Sequence, residues 1–437
     1  MKIIQVPFCF YPDLSGGTEV YVEALARRLT ELQIQTVIAA PAVSEKSYLH
    51  RGLPVERFSV AEPASLEELY GEGDPVAEES FSRILEKHKP DLVHLHAFTR
   101  AVSLRLVRQV RRRGIPVVFT YHTPTVSCQR GTLMRWGKEV CDGVLRLGTC
   151  TRCTLQGLGI PRPAADLIGS IPVPVGEALQ TAGFSGGAWT AFRMRSLVSR
   201  HHKVFRSMVG AVTRIVAVSE WVQELLVRNG VDPEKIVLCR QGLAQVSLAP
   251  ALRRRSGSPI RIAAFGRMDP AKGFHLLVKA VKKLPGLPIV LDIYGIEQGK
   301  AGVGYGQAIR RAAKGDTRIR VCEPVPSAEI IRCLREYDLL AVPSLGMETG
   351  PLVVLEAFAA GVPVLGSRLG GIAELVRDNV NGLLVESGSV SEWKRGLDRI
   401  CSQPALLERL RKGITPPRTM DDVTQEMKAL YRQVVGE

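Results

Sequence analysis

The chain has 437 residues, 45% hydrophobic and 23% charged, a balance that excludes a disordered chain and leaves room for two domains. Its net charge of +15 is uneven: from Arg100 to Arg214, 18 lysines and arginines stand against 4 acids, which suits a polyanion (nucleic acid, anionic lipid or a diphosphate-bearing substrate) or a plain solvated surface. Nine scattered cysteines fit a reducing compartment better than a disulfide framework, and no run approaches the roughly 18 apolar residues of a membrane span.

Met1–Phe10 lacks the cleavage region of a signal peptide and reads as a first buried strand, Lys2–Phe8 (KIIQVPF). A turn over Tyr11–Gly17 leads to a helix with Tyr21, Leu25, Leu29 and Leu32 on one face, then a strand at Ile34–Ala40. Further strands are expected at Asp91–Leu95, Ile115–Thr120, Arg214–Val218 and Lys235–Cys239. The pattern breaks at Leu248–Pro259 (LAPALRRRSGSP), a domain boundary. It resumes with Ile260–Phe265, Ile289–Tyr294, Arg318–Val321, Asp338–Val342, Val362–Leu365 and Gly382–Val385, and closes on a helix over Asp421–Val434. Strands alternating with helices predict an α/β protein of two doubly wound halves, with ligands taken at the carboxyl ends of the strands.

The loops leaving those strands hold the candidate residues. Gly16 and Gly17 precede a helix opened by Thr18 and Glu19, where amide groups can meet an anion, although this is not GxGxxG. Gly266, Arg267 and Lys272 lie in FGRMDPAKG; a guanidinium and an ammonium five residues apart suit a departing diphosphate, or form a surface pair. In SLGMETGPLVVLEAFAAG, Ser344–Gly361, Pro351 is placed to begin a helix with Glu348 just before it and Glu356 inside it. A carboxylate in so apolar a helix needs donors, such as a pair of ribose hydroxyls or a salt bridge. Gly370-Gly371 is a second candidate anion nest. His122 ends a strand in VVFTYHTPT and is the preferred histidine for a reaction centre, against a structural role; His94 and His96 alternate on one face.

Cys128, Cys141, Cys150 and Cys153 give C-x12-C-x8-C-x2-C around a glycine-rich, weakly periodic stretch. Four thiolates at this spacing can close on structural zinc or carry an iron–sulfur cluster; unligated thiols or a redox pair are the alternatives.

Taken together, these motifs resemble glycosyltransferase family 4. ETGPLVVLEAFAAGVPVLGSRLGGIAELV holds the E-x7-E pair in Glu348 and Glu356, GRMDPAKG matches the phosphate loop, SGGTEVYV the amino-terminal glycine loop and VVFTYHTP the histidine. Ser219-Glu220 and Gln241-Gly242 also fall at family positions, the glutamine being a departure. The resemblance implies the GT-B fold, two Rossmann-like parallel-sheet domains facing a central cleft. It implies an acceptor-side domain over 1–250 with a Cys-rich insert at 128–153, known in a bacterial subset, a nucleotide-sugar domain over 251–415 and a returning helix over 416–437. It further implies retaining transfer of a hexose from a nucleotide-diphosphate sugar. His122, Glu348, Arg267 and Lys272 would be catalytic. Gly16, Gly17, Gly266, Arg267, Lys272, Glu348, Thr349, Gly350, Pro351, Leu352 and Glu356 would bind the donor. No Asp-x-Asp is found and no catalytic divalent metal is expected.

The acceptor is expected to be a glycan or a polyprenyl-diphosphate-linked glycan. Arg193–Arg214, with Phe192, Leu197, Val198, Phe205, Met208 and Val209 among basic residues, reads as a face for an anionic membrane. The expected place is cytoplasmic, peripheral on the inner face of the cell membrane. Rival readings are an epimerase or glucan phosphorylase of the same fold, or a nucleic-acid-binding protein with a zinc site; the basic segment lacks the aromatic interleaving that would favour nucleic acid.

Overall fold

The structure, a computed structural model, describes residues 1–13, 16–136, 139–244 and 259–436. It divides into two units, Met1–Arg240 with Met420–Glu437, and Gln241–Thr419. The boundary expected at 248–259 lies, except for Pro259, outside the described residues.

In the first unit the apolar run of Lys2–Val6 buries Ile3, Ile4 and Val6 completely and becomes a central strand. The eight-stranded sheet runs in the order Ile236–Leu238, Arg214–Ala217, Val117–Tyr121, Leu92–Leu95, Lys2–Val6, Gln35–Ala42, Leu53–Ser59, Lys46–His50. All pairs are parallel except the last. That antiparallel edge was not expected from the sequence. Lys46–His50 is mostly exposed, so it has no apolar face to reveal it. Its turn is Arg51-Gly52, both left-handed at φ 47° and 84°, the backbone of a tight hairpin without the usual Asn-Gly signal. The helix Gly17–Glu31 buries Tyr21, Val22, Leu25, Ala26 and Leu29, one stripe at helical spacing. The closing helix Met420–Val435 packs Met420, Val423, Met427 and Tyr431 into the same core.

In the second unit the six-stranded sheet is wholly parallel, in the order Ile319–Cys322, Ile289–Ile296, Ile260–Arg267, Leu339–Val342, Val364–Ser367, Gly382–Val385. Numbered by sequence this is the 3-2-1-4-5-6 order of a Rossmann sheet. Its strands are short continuous apolar runs because helices cover both faces.

The excess of positive charge is smaller in space than along the chain. Arg100 reaches Glu62, Glu68 and Asp74, Arg105 reaches Glu78, Arg108 reaches Glu72, Arg113 reaches Glu86 and Arg193 reaches Glu67. The acids of 62–86 therefore neutralise arginines that follow them in sequence. The face expected on Arg193–Arg214 is also corrected. In the helix Met194–Ala211, Leu197, Val198, Phe205, Met208 and Val209 are buried and cannot meet a membrane. Their spacing reflects a helix packed on its own domain. No helix among the described residues is long and apolar enough to cross a membrane.

Candidate active site

In the second unit the strand Ile260–Arg267 ends on Arg267, which is exposed. The following loop is built by its own polar atoms: Asp269 Oδ1 accepts from the Ala271 amide at 2.8 Å and its carbonyl from the Lys272 amide at 2.9 Å. Gly273 then takes φ 70°, and a Cβ there would lie 1.9 Å from the Pro343 carbonyl oxygen. Only glycine fits, and its turn aims Lys272 at the neighbouring strand end. A Cβ on Gly266 would stand 3.6 Å from the Lys272 stem, an ordinary contact, so the lysine stem passes directly over this residue.

Lys272 Nζ meets Glu348 Oε1 at 2.6 Å, and Ser344 Oγ donates to the same oxygen at 2.8 Å. Burial alone would push the Glu348 carboxyl up. The charge and hydrogen bond of Lys272, the Ser344 hydroxyl and the Arg267 charge outweigh it and hold Glu348 below the ordinary carboxylate range. The Glu348 carbonyl accepts from the Gly371 amide at 2.8 Å, so that amide, offered by the sequence as part of an anion nest, is spent on the Glu348 loop. A Cβ on Gly371 would meet the Glu348 carbonyl at 2.9 Å, which is why this contact needs glycine.

Thr349 is buried, and Gly350 passes close to Gln241, whose side chain a Cβ would meet at 2.5 Å. The helix begins at Leu352, one residue after Pro351, and runs to Ala359. Val354, Leu355, Ala357 and Phe358 fill the core, while Leu352 and Glu356, one turn apart, are half-buried. Glu356 has no side-chain hydrogen bond or ion pair among the described residues, and burial pushes its carboxyl up to about 7. Such a group holds a proton until donors arrive. Arg267, Lys272, Glu348 and Ser344 are thus one electrostatic group, with Glu356 on the helix that follows.

In the first unit Gly16 and Gly17 are exposed at the start of the helix Gly17–Glu31. The Gly16 amide donates to Glu19 Oε2 at 2.7 Å, so the turn meets a carboxylate of its own chain. His122 follows the strand Val117–Tyr121 and is buried, its ring edge to face with Tyr21 at 4.8 Å. Its Nε2 lies 3.0 Å from His96 Nδ1, and His96 Nε2 lies 2.6 Å from Gln5 Oε1. Gln5 Nε2 donates to Tyr431 at 3.4 Å, and Tyr431 meets His94 Nδ1 at 2.7 Å. Burial keeps His94 and His96 neutral and holds His122 down to about 3.

These bonds assign the protons. Gln5 Oε1 accepts only, so His96 carries its proton on Nε2. Its Nδ1 then accepts, His122 donates from Nε2, and the lone pair of His122 is on Nδ1. Ser344, Gln5 and Tyr431 were missed in the sequence. Ser344 stands two residues past a strand end, a signal that was available; Gln5 and Tyr431 meet only through the fold.

The metal expected on the cysteines finds no support. Cys128, Cys141, Cys150 and Cys153 do line one cavity of about 30 Å³. Yet among the described residues no group of three or more His, Cys, Asp or Glu could hold a metal ion. Cys153 Sγ accepts from the Trp136 amide at 3.4 Å and from Arg130 at 3.7 Å, and Cys141 Sγ turns to Asp142. Burial pushes the Cys150 thiol up to about 11 and raises Cys141. None of the nine cysteines is in a disulfide.

Residues 16–242 match the family described as "Glycosyl transferase 4-like domain", and residues 252–415 that of "Glycosyl transferases group 1". The D-inositol 3-phosphate glycosyltransferase of Mycobacterium tuberculosis (strain ATCC 25618 / H37Rv) is 28% identical over 240 residues, 51% of this chain and 49% of the relative. The chain therefore spans about half the length of the curated relatives it matches. Among solved structures, sucrose-phosphate synthase from Thermosynechococcus elongatus superposes with a TM-score of 0.69 at 18% identity, covering 100% of this chain and 99% of that one. Anabaena Alr3699/HepE in complex with UDP and glucose gives 0.64 at 16%, covering 98% and 99%. At these identities the likeness shows the fold.

Proposed function

The chain belongs to the glycosyl transferase 4-like family, and we propose that it moves a hexose, with retention, from a nucleotide-diphosphate sugar to a hydroxyl of a glycan or lipid-linked acceptor. The observation that carries this reading is the charge arrangement at one sheet end: Lys272 bonded to Glu348 at 2.6 Å beside Arg267, with Glu356, unpartnered among the described residues, on the next helix.

Each group has a task in that reading. Arg267 and Lys272 take the diphosphate, whose charge grows as the sugar leaves. Lys272 is already balanced by Glu348, so the donor meets a preorganised pair rather than a loose side chain. The Glu348 carboxylate, held ionised, accepts from hydroxyls of the transferred sugar. Glu356 accepts from the ribose, whose two hydroxyls supply the donors that it lacks. Leu352, Thr349 and the Gly350 turn line the approach.

On the first unit, neutral His122, with its lone pair on Nδ1, accepts from a sugar hydroxyl near the anomeric carbon. The acceptor oxygen bonds to the anomeric carbon on the face from which the diphosphate departs. The acceptor's proton passes to a phosphate oxygen, and nucleoside diphosphate is released. No carboxylate nucleophile is invoked, unlike in retaining hydrolases.

The Anabaena neighbour was solved with UDP and glucose, which makes UDP-glucose the first donor to try. A lipid-linked acceptor would place the work at the inner membrane surface, in the cytoplasm, where nine cysteines outside any disulfide persist. The test is a screen of nucleotide sugars that measures both released nucleoside diphosphate and glycosylated product. Release that requires an acceptor supports transfer. Interconversion of the donor without acceptor would make it an epimerase, and phosphate-dependent release a phosphorylase.

A further inference from the structure

The helices Leu147–Gly157, Val173–Thr181 and Gly187–Phe192 pack on the long helix Met194–Ala211, and Arg162–Ile168 packs on the first of them. Three of these short helices reverse the usual pattern of a surface helix. Their inward residues are small: Ala165, Gly176 and Ala191 are the buried positions. Several of their outward residues are large and apolar. Leu167 is 75% exposed, Val175 46%, Trp189 40% and Phe192 36%, with Phe184 at 41% in the loop before Trp189. The rings of Phe184 and Trp189 lie 4.4 Å apart, and those of Trp189 and Phe192 6.0 Å, so the three form one exposed cluster.

From Leu167 to Phe192 the only charged residue is Glu177. From Gly143 to Arg206 there are 8 lysines and arginines against 2 acids; Arg193 is buried on Glu67, and Arg146 and Arg152 pair with Asp142 and Asp166, while Arg162, Lys203 and Arg206 are exposed. A largely apolar face with aromatic rings, one exposed acid and exposed cations on the adjoining helices matches the layers of a bilayer surface. Apolar residues enter below the headgroups, tryptophan sits at their level and arginines reach the phosphates.

We propose that this helical face, centred on Phe184, Trp189 and Phe192, docks on an anionic lipid bilayer. It replaces the face that the sequence placed on Arg193–Arg214, whose apolar residues point into the domain. The purpose of docking rests on the transferase reading, since it would bring the first unit to a lipid-linked acceptor. The docking itself does not depend on turnover.

The test uses the full chain with vesicles of phosphatidylcholine alone and mixed with phosphatidylglycerol. The chain should sediment with mixed vesicles, less so at high salt, and brominated lipid should quench fluorescence that a Trp189→Phe variant lacks. Phe184→Glu/Trp189→Glu should cut vesicle partitioning about tenfold or more, while Val227→Glu, on an exposed apolar residue of a different helix, should not. Because all three positions are exposed, circular dichroism and melting should stay as in the parent.

Failure of the parent to bind phosphatidylglycerol vesicles would overturn the proposal, as would binding unchanged in the double variant. A concentration-dependent dimer dissolved by the same substitutions would assign the face to a second copy instead. Sugar transfer to a soluble acceptor without vesicle binding would leave the transferase reading standing and remove the docking. Vesicle binding without transfer would do the reverse.

Discussion

Nζ of Lys272 and Oε1 of Glu348 are 2.6 Å apart across 76 residues of chain, a bond made where two parallel strands of the second unit end. The pair is partly exposed, at 25% and 22% of each side chain, so its weight in stability is small. Its weight in turnover should be large if it receives a diphosphate. Lys272→Ala and Arg267→Ala should each lower kcat/KM by about 100-fold or more, with melting temperature little changed. Steady-state kinetics beside thermal melts check this; unchanged turnover would remove both residues from the phosphate site.

Gly273 sets the direction of that lysine. An alanine there would place its Cβ 1.9 Å from the Pro343 carbonyl oxygen on a backbone already at φ 70°. Gly273→Ala should destabilise the protein by about 2–4 kcal/mol, and turnover should fall further than the loss of folded protein explains. Urea unfolding and activity per folded molecule separate the two effects.

Glu356 makes a pH prediction. Burial raises its carboxyl to about 7 in the fold, against an unfolded value of 4.5, so its contribution to stability is fully present below the unfolded value and is lost as pH rises through 7. The swing is about 3 kcal/mol at most. Ribose hydroxyls would favour the ionised form, so donor binding should release a proton below pH 7 and weaken as pH falls. Calorimetry in buffers of different ionisation heat measures the proton, and Glu356→Gln should abolish it.

Much of the second unit was legible because its strands are buried on both faces and therefore read as short apolar runs such as Ile260–Phe265 and Asp338–Val342. The loops after them were equally plain: Gly266–Gly273 and Glu348–Glu356 are contiguous in sequence and stay so in space. Two features were not legible. The arginines between Arg100 and Arg113 seemed uncompensated because their acids, Glu62 to Glu86, precede them on other helices. The apolar residues of Arg193–Arg214 fit a membrane face and a packed helix equally well, since one spacing serves both; only burial distinguishes them.

The cysteines give a test by removal. With Cys153 engaged by Trp136 and Arg130 and Cys141 turned to Asp142, the loop is held by bonds of its own and should not need a metal to stay ordered. Chelator treatment should leave the melting temperature unchanged, and elemental analysis should find zinc and iron well below one per chain. A melting temperature that falls with chelator and recovers with zinc would mean that the thiols regroup around metal.

The buried chain from Tyr431 through Gln5 and His96 to His122 makes the last prediction. Each member constrains the next: Gln5 Oε1 fixes the His96 proton on Nε2, which fixes the His122 proton on Nε2 and leaves Nδ1 as an acceptor. Nitrogen-15 spectra should therefore show neutral His122 protonated at Nε2 across neutral pH, with no titration near 6.5, since burial holds it down to about 3. The same depression means that its contribution to stability is fully present above its unfolded value, near 6.5, and is lost as pH falls towards 3. Gln5→Leu removes the acceptor and leaves a buried donor unsatisfied, at a cost of about 1–3 kcal/mol. More telling, it frees His96 to turn, so His122 should appear as a mixture of tautomers and kcat should fall more than KM rises. Tyr431→Phe keeps Gln5 Oε1 in place and should retain the Nε2 tautomer while losing about 1 kcal/mol of stability. A Gln5→Leu protein with an unaltered His122 tautomer would break the chain of inference at its first link.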